Sequence, residues 1–150
     1  MPRVGRPPSL RTHDGLMMLE KNAVDLFNRE AFFACHDALE EIWLEESGSD
    51  RLFHQGVLQI AVGFHHVTGG KLGAGRTMMA LALEKLKGYP PDHGGIQLEA
   101  LRREVQEWKL LLDAAIRNQT GCPDRPFPKI AWVESFEKPQ SQSSAAPDGN

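Results

Sequence analysis

The chain has 150 residues, 41% of them apolar, which suits one globular domain able to bury roughly 70% of its unfolded surface without a disulfide or metal staple. Its two cysteines, Cys35 and Cys122, form no CxxC pair, which excludes a zinc ribbon and a disulfide-rich scaffold. With 17 Lys and Arg against 20 Asp and Glu, and a single adjacent basic pair in the body, Arg102–Arg103, no nucleic-acid partner is expected.

Residues 1–11 are rich in Pro and Arg and are expected to form a disordered arm. The same stretch lacks the apolar run of a signal peptide, which points to the cytoplasm. Between residues 12 and 136 apolar residues recur at helical spacing without strand-like alternation, predicting five helices. The first covers about Asp14 to Phe27, buries Leu16, Leu19, Ala23, Leu26 and Phe27, and takes Thr12 or Asp14 as its N-cap. The second spans about Arg29 to Glu46, capped by Asn28. The third runs from about Asp50 to Thr68 and stops at Gly69-Gly70. Its most apolar run, Val57 to Phe64, is short and broken by Gln59, so no membrane span is expected. The fourth covers about Leu72 to Lys87 and buries Met78, Met79, Ala82 and Leu86. The fifth, about Ile96 to Asn118, turns Leu98, Leu101, Val105, Trp108, Leu112 and Ala115 to one face. Gly121 to Pro128 cannot be helical, because four of its eight residues are Gly or Pro. Its aromatics, with Trp132 and Phe136, are expected to fold back on the bundle, and residues 137–150 are expected to form a second disordered tail. The expected fold is all-α, an antiparallel bundle of about five helices with disordered termini.

Polar residues on apolar faces carry the functional signal. At roughly 100° per residue, with Phe32 at zero, His36 at ~40° and Glu40 at ~80° sit beside Trp43 at ~20°, on the edge of the apolar arc. Asp37, Glu41 and Glu45 lie between ~140° and ~220°, on the solvent side. His36 and Glu40 are therefore stacked at i,i+4, where two side chains can share a proton, an ion or a ligand. On the third helix Arg51, Gln55, Gln59, Val62 and His66 form a narrow polar face, apart from an apolar stripe of Phe53, Val57, Ile60, Phe64 and Val67. Gly56 and Gly63 flank that polar face and leave room for another helix. A buried glutamine amide costs on the order of 1–3 kcal/mol unless it is partnered. The simplest packing therefore sets His36 and Glu40 against Gln55, Gln59 and His66.

Several chemistries fit this set. His36 and Glu40, with His66 as a third donor, could ligate a divalent metal ion such as Zn²⁺, Mn²⁺ or Fe²⁺, with Gln55 or Gln59 orienting a bound water. The same residues could line a pocket for a small molecule, with Trp43 as its apolar wall and Arg51 at the mouth to pin an anion. His36 held by Glu40 could serve as a general base. Alternatively the set is a buried hydrogen-bonded network fixing helix register, in a non-catalytic structural or interaction protein. Neither HExxH nor the ExxH pair of di-iron bundles occurs. A Cys35–His36 nucleophilic pair is disfavoured because sequence neighbours diverge by ~100° on a helix. The stretch Gly69 to Arg76 follows a helix and lacks the Gly-Lys-Ser/Thr ending of a phosphate cradle. His54 and His65 share a side with Leu58 and Ala61 and are expected to be partly exposed structural histidines. A homo-oligomer is compatible with all of these features.

The stretch from Phe27-Asn28 through His36-Asp37-Ala38-Leu39-Glu40-Glu41-Ile42-Trp43, on to Gln55-Gly56-Val57-Leu58-Gln59-Ile60-Ala61, His66 and Gly73-Ala74, resembles the DUF309 family of TTHA0068-like all-helical proteins. The resemblance covers about Leu16 to Leu86, and its signature is a His, a Glu four residues on and a Trp or Tyr three further: here His36, Glu40 and Trp43. It implies an all-helical fold. The family has no established activity, but metal binding has been suggested for its motif, and the resemblance carries that role onto His36 and Glu40. Three positions depart from the pattern: Glu30 where Gly is usual, Asp37 where Glu commonly follows the His, and Lys71 where Asn often follows the Gly.

Overall fold

The computed structural model describes residues 10–11 and 17–134. Among these, five helices carry the fold: α1 (Lys21–Asn28), α2 (Phe32–Glu45), α3 (Arg51–Thr68), α4 (Leu72–Leu86) and α5 (Leu98–Asn118). Consecutive helices pack on each other, and none is long and apolar enough to cross a membrane. Residues 1–9 of the expected arm, the tail 137–150, and Thr12, Asp14, Leu16 and Phe136 lie outside the described residues.

The first helix is shorter than its apolar spacing predicts. A two-residue strand β1 (Leu10–Arg11) pairs antiparallel with β2 (Met17–Met18), and the Leu19 N–H donates to the Gly94 carbonyl at 2.8 Å. Backbone groups that a helix would have paired four residues along are satisfied across the fold instead. Met17 and Leu19 are buried on either side of a partly exposed Met18.

The α1–α2 junction also departs from expectation. Glu30 adopts φ 64°, in the left-handed region; its N–H donates to Phe27 O at 2.9 Å and the Ala31 N–H reaches back to Leu26 O at 2.9 Å. That is the bond pattern of a glycine-type helix stop, so α1 closes here and α2 starts at Phe32 rather than near Arg29. Asn28 consequently does not cap α2. Its side chain grips the far end of the chain: Nδ2 donates to Ile130 O at 2.9 Å, and the Ile130 N–H donates to Oδ1 at 2.7 Å.

α3 and α4 approach closely because two glycines face each other. A Cβ on Gly75 would lie 2.9 Å from Gly63 O and 2.7 Å from a Val67 methyl, and one on Gly56 would overlap Leu86. The inward faces of α3 and α5 match the expected stripes: Phe53, Val57, Ile60, Phe64 and Val67 are buried, as are Leu98, Leu101, Val105, Trp108, Leu112 and Ala115.

The segment after α5 closes the core. Phe127 packs 5.6 Å from Phe32, 5.3 Å from Phe64 and 5.3 Å from Trp108, while the Trp108 indole donates to Pro126 O at 3.3 Å. Farther on, Trp132 bridges antiparallel to Ile96. This strap spans the bundle from α1 to the start of α5, and it shares its aromatic cluster with α2 and α3.

Candidate functional site

α2 buries Cys35, Leu39 and Ile42 and leaves its neighbouring edge half open. On that edge the side chain of His36 is 21% exposed, against 61% for Asp37 and 44% for Glu40. His36 Nδ1 lies 3.4 Å from Asp37 Oδ1, and Nε2 lies 3.8 Å from Glu40 Oε1. One donor atom from each of the three falls within 4.8 Å of the others. Nδ1 is buried without a hydrogen bond among the described residues, and both separations exceed the 2.7–3.2 Å typical of such bonds. The imidazole is thus flanked by carboxylates at both nitrogens but bonded to neither. Asp37, assigned to solvent by its helical angle, joins the group because a short side chain one residue on can turn back onto the ring. A wheel sorts Cα directions, not side-chain tips.

The two ends of the α2–α3 pair are pinned. Arg51, at the start of α3, sits 4.3 Å over the Trp43 ring, and its Nη1 donates to Trp43 O at 2.9 Å and Glu46 O at 2.8 Å. The last carbonyls of a helix lack partners within it, and this guanidinium supplies one. Arg51 therefore closes the end of α2, whereas the sequence suggested an anion-pinning place at a pocket mouth. Among the described residues nothing hydrogen-bonds to Trp43 Nε1, which is buried. At the opposite end Phe33 packs 5.3 Å from His65 and 5.6 Å from His36. Early α2 thus meets late α3 and late α2 meets early α3, an antiparallel pair.

These contacts fix which face of α3 meets α2. His65 touches α2, while Gly56 and Gly63 turn toward Leu86, Gly75 and Met79 of α4. The polar face of Gln55, Gln59 and His66 lies between those two directions. Gln59 is buried at 8% exposure, and its Oε1 has no hydrogen bond among the described residues; Gln55 and His66 are half-buried. The donor group draws only on α2 and does not include His66.

Residues 21–78 match the family model described as a domain of unknown function, DUF309. Over this stretch the chain is similar to DUF309. The DUF309 match runs from the start of α1 into α4 and contains His36, Asp37, Glu40 and Trp43; α5 and the strap lie beyond it. No curated protein matches the chain.

A second polar cluster lies where the DUF309 segment meets the α4–α5 loop, and sequence reading missed it. Asp50 occupies the N-cap position of α3 but makes no capping bond there; its Oδ1 lies 2.8 Å from His93 Nε2. Tyr89 donates to Ser49 O at 2.6 Å and accepts the Phe53 N–H at 3.0 Å. Burial pushes the Tyr89 phenol up from its usual range, the Phe53 N–H opposes that, and the nearby charges of Asp50 and Glu46 add to it. His54 is fully buried, where partial exposure was expected, with Nδ1 3.2 Å from Asp50 O. The one sequence signal was an aspartate at a helix start, which reads as an ordinary cap. Two cavities, of 710 and 330 Å³, are formed by α5 and the segment that follows it and include none of the α2 residues.

Proposed function

We propose that the open edge of α2 binds a divalent cation through His36 Nε2 and the Glu40 carboxylate, with Asp37 as either a third ligand or the carboxylate that orients the ring through Nδ1. The observation that carries this reading is the convergence of an imidazole and two carboxylates within 4.8 Å of one another. Donors around a cation bound at ~2.1 Å stand roughly 3–3.5 Å apart, so small rotations of the two exposed carboxylates would close the set. One nitrogen towards the ion and the other towards a carboxylate is the usual support of a histidine ligand. One imidazole and two carboxylates suit Zn²⁺, Mn²⁺ or Fe²⁺.

Two or three protein donors on one helix leave coordination positions for water or a small ligand. The site would thus be a cation-dependent ligand site rather than a closed structural one. A register-setting hydrogen-bond network is less well supported, because the contacts of 3.4 and 3.8 Å are too long to be its bonds. The test is elemental analysis of protein purified without a histidine tag and dialysed against zinc. About one metal per chain in the wild type, lost in His36→Ala, supports the reading; metal content unchanged in His36→Ala refutes it.

A further inference from the structure

Phe33, Asp37, Glu40 and Leu44 stand at i, i+4, i+7 and i+11 on α2, the alternating spacing of a seam between two helices. None of the four belongs to the buried core: Phe33 and Leu44 are each 55% exposed, and the side chains of Asp37 and Glu40 lie open beside His36. A single exposed apolar residue is ordinary. Here two of them bracket the donors of the cation site on one stripe.

The stripe runs apolar, acid, acid, apolar, and it reads the same from either end. A closed two-fold contact requires this property, because residue i of one copy must meet residue j of the other while j meets i. A second copy laid antiparallel, about an axis midway between Asp37 and Glu40, sets Phe33 against Leu44 at both ends and Asp37 against Glu40 at both middle positions.

Charge and area decide when such a contact forms. Four facing carboxylates repel in the bare protein. Two divalent cations, one beside each His36, neutralise them. One oxygen of Asp37, Oδ1, faces its own His36, and a carboxylate has a second oxygen to give across the seam. A cation on His36 Nε2 and Glu40 thereby gains a donor at a position that one helix leaves open. As for area, α2 has 14 residues. One face of such a helix, about 21 Å long, offers roughly 300 Å² per copy, well below the ~800 Å² per partner of a stable complex. Apolar contact alone leaves the chain monomeric, so the cations have to hold the pair.

We infer that α2 is a cation-dependent contact between two copies of this chain, with Phe33 packed on Leu44 of the second copy and each cation shared by His36 and Glu40 of one copy and Asp37 of the other. The inference rests on the cation reading above and supplies a donor which that reading lacks.

The test is sedimentation velocity of the full-length, tag-free chain in EDTA and with one equivalent of Zn²⁺, beside zinc titration of the same samples. The wild type should be monomeric in EDTA and dimeric with zinc. Leu44→Lys, at an exposed position away from the metal, should still bind zinc but weaken the dimer at least about tenfold, whereas Leu44→Met should keep it. Wild type that binds zinc and stays monomeric overturns the dimer and leaves the cation reading standing. A dimer as strong in EDTA as in zinc, or a zinc dimer that Leu44→Lys leaves intact, also overturns it, because association then needs no cation or uses another face. No zinc binding in the wild type removes both readings.

Discussion

Arg51 stacks on Trp43 and bonds to Trp43's own carbonyl, so one guanidinium holds both the ring and the backbone at the end of α2. Arg102 repeats the device on α4, donating to Leu86 O at 2.6 Å and Tyr89 O at 3.0 Å. In both cases an arginine from a later helix satisfies the last carbonyls of an earlier one. Lysine keeps the charge but has neither the planar fork nor the stacking face. Arg51→Lys should therefore destabilise the fold by about 1–2 kcal/mol in urea melts. A change below about 0.5 kcal/mol would mean that the stack contributes little.

Glu30 offers a gain. A non-glycine residue in the left-handed region costs about 1–2 kcal/mol, and the only ion pair described for Glu30, to Lys129 at 3.7 Å, is exposed. The family resemblance places glycine at this position, which is the residue a left-handed helix stop favours. Glu30→Gly should raise stability by about 1 kcal/mol. A drop on calorimetric melting would show that the exposed pair outweighs the backbone strain.

The two thiols should behave oppositely. Cys35 is buried, and that burial pushes its pKa from an ordinary 9.0 up to about 12, while Cys122 is exposed. At pH 8 a thiol reagent should label one cysteine per native chain, and Cys122→Ser should abolish that labelling. Because the folded state favours the neutral thiol, the stability held by Cys35 is complete below pH 9 and is lost as pH rises towards 12. The loss amounts to on the order of 1.4 kcal/mol per pH unit in that window. Cys35→Val should flatten the decline relative to the wild type, and equal slopes would contradict the assigned cause.

Phe127 lies outside the DUF309 match, yet it touches rings of α2, α3 and α5. Phe127→Ala should cost about 3 kcal/mol, and a chain ending at residue 120 should lose cooperative unfolding. Stability unchanged by both would mean that the family segment and α5 fold without the strap.

The parts of the fold that were legible in the sequence are those governed by local periodicity. α5 shows its six inward residues at spacings of three and four, and α3 stops at Gly69-Gly70 as those residues dictate. The hidden parts depend on distant partners. Asn28 reads as a cap for the next helix because nothing local reveals Ile130, and Leu19 reads as helical because nothing local reveals the Gly94 carbonyl. At the site, the i,i+4 stacking of His36 and Glu40 was visible, since it belongs to one helix. Asp37, His65 and the Asp50–His93 contact were not, because side-chain rotation and inter-helix register decide them.

The central claim concerns His36 and Glu40, and calorimetric titration of Zn²⁺ into metal-stripped, tag-free protein addresses it directly. The account predicts one site per chain in the wild type, no saturable site in His36→Ala, and affinity weakened about 10–100-fold in Glu40→Gln. Zinc binding with the same stoichiometry and affinity in His36→Ala as in the wild type would contradict it.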